Sequence, residues 1–170
     1  MASTGLDYTG RKGLVTAGAA GIGQAIASRF QELGADVFVT DVDPEAVARA
    51  EESGFPARVS DVSDEQQVAD LMATIGAEFG GLDVLVNNAG IAGPIGPIED
   101  LDADDWPRTF DVNVHGQFYA VKHALPMLRR AREGAIVNLS SAAGRLGMAG
   151  RSPYSASKWA VVGLTKTLAI

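Results

Sequence analysis

The sequence GLVTAGAAGIG, residues 13–23, places a glycine-rich segment directly after a short apolar run. Apolar residues then recur with helical spacing from Gly21 to Leu33, so this segment predicts a strand, a tight turn and a helix in succession. Glycines in such a turn let the main chain approach a pyrophosphate, whose charge is favoured at the helix N-terminus. Turns also use glycine for its free φ alone, but the position of this turn after the first strand favours a dinucleotide-binding site.

The alternation of strand and helix continues along the chain. The strand segments are nearly continuous apolar runs, which is typical of parallel strands covered on both faces. The pattern predicts one α/β domain over residues 1–170, with a doubly wound parallel sheet and a ligand at the carboxyl ends of its strands. The predicted strands are 13–16, 35–40, 57–60, 82–86 and 135–139, and the predicted helices are 21–33, 45–52, 64–79, a long helical stretch that ends at Arg129, and a final helix that carries Tyr154 and Lys158.

Composition excludes several classes of function. Lys and Arg total 14 against 21 Asp and Glu, and the net charge of −7 repels nucleic-acid backbones and anionic lipid surfaces. The chain has no cysteine and only two histidines, His115 and His123, so we expect neither a disulfide framework nor a metal site. Residues 1–12 lack the apolar run of a secretory signal, and no run of about 18 apolar residues occurs, so we expect a cytoplasmic protein.

Asp41 ends the second predicted strand, 18 residues beyond Gly23. A carboxylate at this position can accept hydrogen bonds from the adenosine ribose hydroxyls of a dinucleotide and would repel a 2′-phosphate. Its neighbours Val42 and Asp43 supply no cation, so NAD is favoured over NADP. The alternative is that Asp41 caps the following helix, or shares that work with Asp43.

Tyr154 and Lys158 are four residues apart in the final predicted helix and therefore lie on one face of it. An ammonium group beside a phenol favours the phenolate, which could take the proton of an alcohol as its hydride leaves, or return one to a ketone. Pairs with this spacing are common on solvated helices, so the spacing alone is also compatible with an incidental pair.

Short segments in chain order resemble the motifs of the short-chain dehydrogenase/reductase family and cover almost the whole chain. The resemblance implies a Rossmann-like sheet between two helical layers and a nicotinamide cofactor. It further implies an enzyme that interconverts a secondary alcohol and a ketone by hydride transfer to or from NAD. The segments are Thr16 to Gly23, Asp61-Val62, Asn87-Asn88-Ala89-Gly90, Asn113 in Asn-Val-His-Gly, Ser140-Ser141, and Tyr154-Ser-Ala-Ser-Lys158.

The resemblance also implies a role for each catalytic residue. Tyr154 would be the general acid/base, and Lys158 would favour its ionised form and bind the nicotinamide ribose. Ser141, 13 residues before Tyr154, would hydrogen-bond the substrate oxygen, whereas its neighbour Ser140 could be structural. Asn113 would hold a water that relays protons from Lys158, or join a helix to a strand through side-chain hydrogen bonds, or do both.

A second set of residues is implied in cofactor binding. Asp61 and Val62 resemble the pair that contacts adenine, and Asn88 resembles the residue that touches the cofactor while it braces the central sheet. The full set is Gly18, Gly21, Ile22, Gly23, Asp41, Asp61, Val62, Asn88, Tyr154 and Lys158.

Two features depart from the family pattern. Ala17, followed by Gly18, stands where the family usually has glycine, which predicts a shifted turn and weaker pyrophosphate binding. The family's domain normally continues through two more strands, so a truncated form, or a chain stabilised as a homo-oligomer (dimer or tetramer), is expected. Strand 135–139 would then be an unprotected sheet edge, and the Tyr154 helix would lose the element that packs beyond it. A non-catalytic dinucleotide-binding or interaction protein is the alternative.

Overall fold

A computed structural model describes residues 6–170 of the chain. These residues form five strands and six α-helices. Strands and helices alternate as the sequence predicts, except that two helices stand where one long helical stretch was predicted. The strands are β1 (Lys12–Val15), β2 (Asp36–Asp41), β3 (Ala57–Val59), β4 (Val84–Asn87) and β5 (Ala135–Asn138). The helices are α1 (Gly21–Glu32), α2 (Pro44–Glu52), α3 (Glu65–Thr74), α4 (Asp105–Phe110), α5 (Gly116–Leu128) and α6 (Ser152–Leu168).

The strands form one parallel sheet in the order β3-β2-β1-β4-β5. β1 lies between β2 and β4, so strands are added on one side of β1 up to β3 and on the other side from β4 onward. This switch of direction opens a crevice at the carboxyl ends of β1 and β4, where ligands bind in doubly wound sheets. The predicted Rossmann-like α/β fold is confirmed.

The two faces of the sheet are buried by different helices, because successive strand residues point in opposite directions. Leu14 packs in a cluster with residues of α3 and α5, and its neighbour Val15 packs in a second cluster with residues of α1 and α2. The result is the expected three-layer arrangement.

The edge strands differ from the expectation that every strand is covered on both faces. Val59 of β3 is 44% exposed and Val137 of β5 is 46% exposed. A strand at the edge of a sheet has a neighbour on one side only, so fewer residues cover it. The expectation was therefore wrong for β3 and β5, whereas the edge position of β5 was predicted.

Two predicted helices are divided by π-helical turns. The helix predicted at 64–79 is α3 followed by a π-helical turn over Ile75–Phe79. The long helical stretch that ends at Arg129 consists of α4, a π-helical turn over Asp111–His115, and α5. The second turn contains Asn113, and π-helical turns of this kind occur frequently at functional sites.

A chain of hydrogen bonds anchors α6 to the sheet. Asn87 Nδ2 donates to Asn138 Oδ1 (2.8 Å), Asn138 Nδ2 donates to Thr165 Oγ1 (2.9 Å), and the Thr165 hydroxyl donates to the carbonyl oxygen of Val161 (2.7 Å). These bonds join the ends of β4 and β5 to the middle of α6. Within residues 6–170, no helix is long and apolar enough to cross a membrane.

Candidate functional site

The glycine-rich turn after β1 is tied to the end of β4 by side-chain hydrogen bonds. Thr16 Oγ1 accepts from the backbone N–H groups of Asn88 (3.0 Å) and Ala89 (3.1 Å). Asn88 Nδ2 donates in return to the carbonyl oxygens of Thr16 (3.0 Å) and Ala17 (2.9 Å). Asn88 therefore occupies the bracing position that the family resemblance implies.

Ala17 adopts φ 48°, and within residues 6–170 no other residue except glycine has a positive φ. This left-handed region costs a residue with a Cβ about 1–2 kcal/mol. Ala17 therefore carries the energetic cost of a left-handed residue with a Cβ, and weaker pyrophosphate binding stays a prediction.

The glycines of the turn have different tasks. A Cβ on Gly23 would overlap the carbonyl oxygen of Ala17 and lie 2.6 Å from Asn88 Nδ2, so only glycine fits there. A Cβ on Gly18 would lie 2.6 Å from the carbonyl oxygen of Val15, and the Gly18 N–H already donates to Thr40 O (2.8 Å). Gly18 consequently shapes the turn, and its N–H group is not free for a phosphate.

The N-terminus of α1 has the features of an anion-binding site. Ala20 is the N-cap and provides no side-chain hydrogen bond, and the first turn contains no acidic residue. By contrast, Asp43 caps α2 and Asp64 caps α3 with carboxylate oxygens. The first N–H groups of α1, at Gly21 to Gly23, have no partner within the helix and carry the positive end of its dipole. A pyrophosphate would accept hydrogen bonds from these N–H groups, and its negative charge would be stabilised by the helix dipole.

A cavity of about 260 Å³ lies beside this turn, at the carboxyl ends of the strands. It brings together three of the predicted cofactor-binding residues, Asp41, Asp61 and Val62. Arg108 of α4 also lines the cavity. The sequence does not predict this, because the packing of α4 over the sheet edge leaves no local sequence pattern. The lining residues are Ala17, Asp41, Val42, Ser60, Asp61, Val62, Ala89, Gly90, Ile91, Arg108 and Val112.

The hydrogen bonds of Asp41 separate its two predicted roles. Asp43 is the N-cap of α2 and accepts from the Glu45 N–H (2.9 Å). Asp41 Oδ1 accepts from the Asp43 N–H (3.2 Å), which supports the turn before the helix without capping it. Asp41 Oδ2 accepts no hydrogen bond from residues 6–170, so it remains available to a ligand in the cavity.

Tyr154 and Lys158 are neighbours on α6, as their spacing predicts. Lys158 Nζ lies 5.7 Å from the centroid of the Tyr154 ring. The lysine is only 5% exposed, and its Nζ donates to the carbonyl oxygen of Leu139 (3.0 Å) at the end of β5. Burial lowers the pKa of Lys158 below its usual value of 10.5. The ammonium group is thus held in place beside the tyrosine.

The two serines after β5 have separate hydrogen bonds. The Ser140 hydroxyl donates to the carbonyl oxygen of Lys158 (2.8 Å), which is a structural bond to α6. Ser141 Oγ accepts from the Ala143 N–H (3.2 Å) at the start of a short helical turn. Because Ser141 Oγ acts only as an acceptor there, its own proton remains available for a substrate oxygen.

Asn113 is fully buried and joins three elements. Its Oδ1 accepts from the Ile91 N–H (2.7 Å), and its Nδ2 donates to Ile91 O (2.9 Å) and to Ser157 Oγ (3.0 Å). Both amide protons are thereby used, and Asn113 joins its helical turn to the loop after β4 and to α6, whereas the prediction was a link from a helix to a strand. A Cβ on Gly90 would lie 3.1 Å from Asn113 Oδ1 and 3.2 Å from Lys158 Nζ.

Gly90 and Ile91 connect the two halves of the site. Both line the cavity beside the glycine-rich turn, and both lie against Asn113 or Lys158. The structure therefore brings Asp41, Asp61 and Val62 into one cavity, and the Gly90–Ile91 loop connects this cavity to Asn113 and Lys158. The catalytic residues themselves and the glycines of the turn do not line the cavity.

Comparisons with known proteins agree with this geometry. A family model described as short chain dehydrogenase matches residues 12–170. The chain is 44% identical over 171 residues to the cis-4-hydroxycyclohexanecarboxylate dehydrogenase of Sinomonas cyclohexanicum, covering 98% of this chain and 69% of that protein. It is 37% identical over 163 residues to the 2-dehydro-3-deoxy-L-rhamnonate dehydrogenase (NAD(+)) of Sphingomonas sp. (strain SKA58), covering 95% and 66%.

A solved structure gives the same result for the fold. The short chain dehydrogenase/reductase from Burkholderia phymatum in complex with NAD matches with a TM-score of 0.89 and 35% identity, covering 95% of this chain and 60% of that chain. The chain thus spans between 60% and 69% of the lengths of these three relatives. Since the family model matches nearly every residue from β1 onward, the chain belongs to the short-chain dehydrogenase family.

Proposed function

We propose that this chain is an NAD-dependent oxidoreductase that interconverts a secondary alcohol and a ketone, with Tyr154 as the general acid/base. The observation that carries the proposal is the meeting point at Gly90. This residue lines the dinucleotide cavity, and its Cα lies beside Lys158 Nζ, which in turn lies 5.7 Å from the Tyr154 ring. A nicotinamide that reached this point from the cavity would lie next to a proton-transfer group.

The residues present fit a dinucleotide. The unpaired N–H groups at Gly21, Ile22 and Gly23 would hold the pyrophosphate, and the free oxygen of Asp41 would accept from the adenosine ribose hydroxyls. Asp61 and Val62 would contact the adenine, and Lys158 would bind the nicotinamide ribose. Asn88 would hold the glycine-rich turn after β1 in place. The NAD named for two of the relatives above supports this choice of cofactor.

NAD, when bound, accepts a hydride from the alcohol carbon. The protein residues manage the proton and the oxygen. Ser141 would donate a hydrogen bond from its hydroxyl group to the substrate oxygen, and Tyr154 as phenolate would take the alcohol proton. The alcohol then loses one hydride and one proton and becomes a ketone, and the reverse direction returns both. The Lys158 ammonium, held by Leu139 O, favours the phenolate by its charge.

Asn113 has a supporting role in this proposal. Both protons of its amide are committed to Ile91 O and Ser157 Oγ, so it fixes the loop after β4 against α6. A water that relays protons from Lys158 would have to be held by the remaining lone pair of Oδ1 or by the main chain near Gly90.

Assembly and location complete the proposal. Two large apolar side chains are exposed on two of the helices: Phe118 of α5 is 46% exposed and Trp159 of α6 is 52% exposed. Such surface suits contact with a second copy of the chain, so we propose a homo-oligomer, either a dimer or a tetramer. We also propose a cytoplasmic location, with which the absence of cysteine is compatible.

Parallel fluorescence titrations with NADH and NADPH test the cofactor, and a panel of secondary alcohols with NAD then tests turnover. We expect NADH to bind at least about tenfold more tightly than NADPH, since a 2′-phosphate would meet the Asp41 carboxylate. NADH binding without turnover of any alcohol would instead support a non-catalytic dinucleotide-binding protein. The absence of NADH binding by a folded chain would contradict both.

A further inference from the structure

Ser157 lies within the Tyr154-Ser-Ala-Ser-Lys158 motif, but the proposed chemistry gives it no role. Its side chain is fully buried on the inner face of α6. Ser157 Oγ accepts from Asn113 Nδ2 (3.0 Å) and donates to the carbonyl oxygen of Tyr154 (2.7 Å). One hydroxyl group therefore bonds both to the helical turn that contains Asn113 and to the turn of α6 that begins at Tyr154.

The hydrogen bonds of Ser157 extend to the meeting point of the site. Asn113, which donates to Ser157, holds both the N–H and the C=O of Ile91, the residue after Gly90. Lys158 follows Ser157 directly, and a Cβ on Gly90 would lie 3.2 Å from Lys158 Nζ and 3.1 Å from Asn113 Oδ1. The loop after β4 and the Tyr154–Lys158 turn are thus connected through Asn113 and Ser157.

A serine in a helix often bonds back to a carbonyl one turn earlier without further purpose. The neighbouring Ser155 shows that a buried hydroxyl in this helix need not be bonded at all, since its Oγ is buried with no partner in the described part of the chain. Ser157 differs because its oxygen also satisfies the second amide proton of Asn113, which is itself fully buried.

We infer that Ser157 is a positioning residue for the reaction: through Asn113, its hydroxyl fixes the Tyr154–Lys158 turn of α6 at its distance from the Gly90–Ile91 loop. This inference rests on the function proposed above. Loss of the hydroxyl would leave a buried Asn113 N–H without an acceptor. The Asn113 side chain would then rotate, or the Tyr154–Lys158 segment of α6 would shift. Small displacements of reacting groups reduce the rate of reaction much more than they reduce binding.

The experiment compares Ser157→Ala with Ser155→Ala, a matched control on the same helix, in the 170-residue chain. For each variant, kcat and KM for an alcohol, Kd for NADH and the melting temperature are measured. We expect Ser157→Ala to lower kcat by about 10- to 100-fold, with Kd for NADH changed less than about twofold, while Ser155→Ala behaves as the wild type. Ser157→Cys, which keeps a weak donor and acceptor of similar size, should recover part of the loss.

The double variant Asn113→Ala/Ser157→Ala separates positioning from general stabilisation. If Ser157 acts through Asn113, the double variant is no slower than Asn113→Ala alone, because the second change removes nothing further. The inference would be overturned if the losses in kcat of the two single variants multiplied in the double variant, or if Ser157→Ala were as active as Ser155→Ala. It would also be overturned if the loss in kcat disappeared when each variant is assayed at the same number of degrees below its own melting temperature. A wild-type chain that turns over no alcohol would overturn the proposed function and, with it, this inference.

Discussion

The side-chain amide of Asn88 donates a 2.9 Å hydrogen bond to the carbonyl oxygen of Ala17. This bond fixes the glycine-rich turn after β1 to the end of β4, at the point where the sheet changes its direction of strand addition. The turn conformation is therefore imposed by a neighbouring strand and does not depend on the glycine content of the turn alone. Ala17 is held at φ 48° as a result.

Replacing Ala17 with glycine should stabilise the protein. Ala17→Gly removes the strain of a left-handed residue that has a Cβ, and this relief exceeds the added entropy of the unfolded chain. We expect the free energy of unfolding to rise by about 1 kcal/mol, as measured by chemical denaturation.

Ala20→Gly is the matched control for this change. Ala20 lies in the same turn with φ −149°, which any residue adopts, so the substitution relieves no strain. Ala20 is also the N-cap of α1, where glycine is preferred to alanine, so this gain and the greater entropy of the unfolded chain offset each other, and stability should change by less than about 0.5 kcal/mol. Equal stabilisation by both substitutions would show that the strain at Ala17 is not the cause.

Gly23→Ala should abolish NADH binding. The added methyl group would overlap Ala17 O and crowd Asn88 Nδ2, so the turn and the first N–H groups of α1 would be displaced. A fluorescence titration with NADH checks this. Gly163→Ala, in α6 with open space around its Cα, should instead bind NADH normally and gain about 0.5–1 kcal/mol of stability. Normal NADH binding by Gly23→Ala would refute the assignment of the pyrophosphate to this turn.

Asp41→Ser should shift cofactor preference towards NADPH. Removal of the carboxylate ends the repulsion of a 2′-phosphate, and we expect the ratio of the NADPH and NADH dissociation constants to fall by about tenfold. Asp43→Ala is the control, because it removes the N-cap of α2 and about 1 kcal/mol of stability from an adjacent site. If Asp43→Ala changes the ratio as much as Asp41→Ser does, the ribose role of Asp41 is wrong.

Burial of Lys158 predicts a pH dependence of stability. Burial lowers its pKa below 10.5, so between the lowered pKa and 10.5 the unfolded chain binds more protons than the folded chain. In that window the wild type should gain stability relative to Lys158→Met as pH rises, and below it the difference should be constant. Thermal melts of both proteins at a series of pH values measure the difference. A difference that moves the other way would contradict this environment for Lys158.

Local sequence patterns were sufficient for the fold. The apolar runs and helical spacings predicted every strand within a few residues, because parallel strands and their covering helices have strong local periodicities. The division of the long helical stretch by a π-helical turn at Asn113 was not predictable, since it depends on packing against Ile91 and Ser157. The exposure of Val137 depends in the same way on which strands are neighbours, not on the strand's own composition.

The candidate site was predictable only where residues belong to a motif. Tyr154, Lys158, Asp41 and the glycines were all identified from spacing and resemblance. Arg108 was not, because a helical arginine carries no signal until tertiary packing places it. Ser157 lies within the Tyr154-Ser-Ala-Ser-Lys158 motif, but its hydrogen bond to Asn113 depends on tertiary packing and was not predictable.

The central claim is that Tyr154 transfers the proton in an NAD-dependent reaction. The most direct measurement is the initial rate of NADH formation from secondary alcohols by the wild type and by Tyr154→Phe, with NADH binding measured on both. We predict that the variant binds NADH within about twofold of the wild type and loses about 10²- to 10⁴-fold in rate. A Tyr154→Phe variant that forms NADH at the wild-type rate would contradict the account.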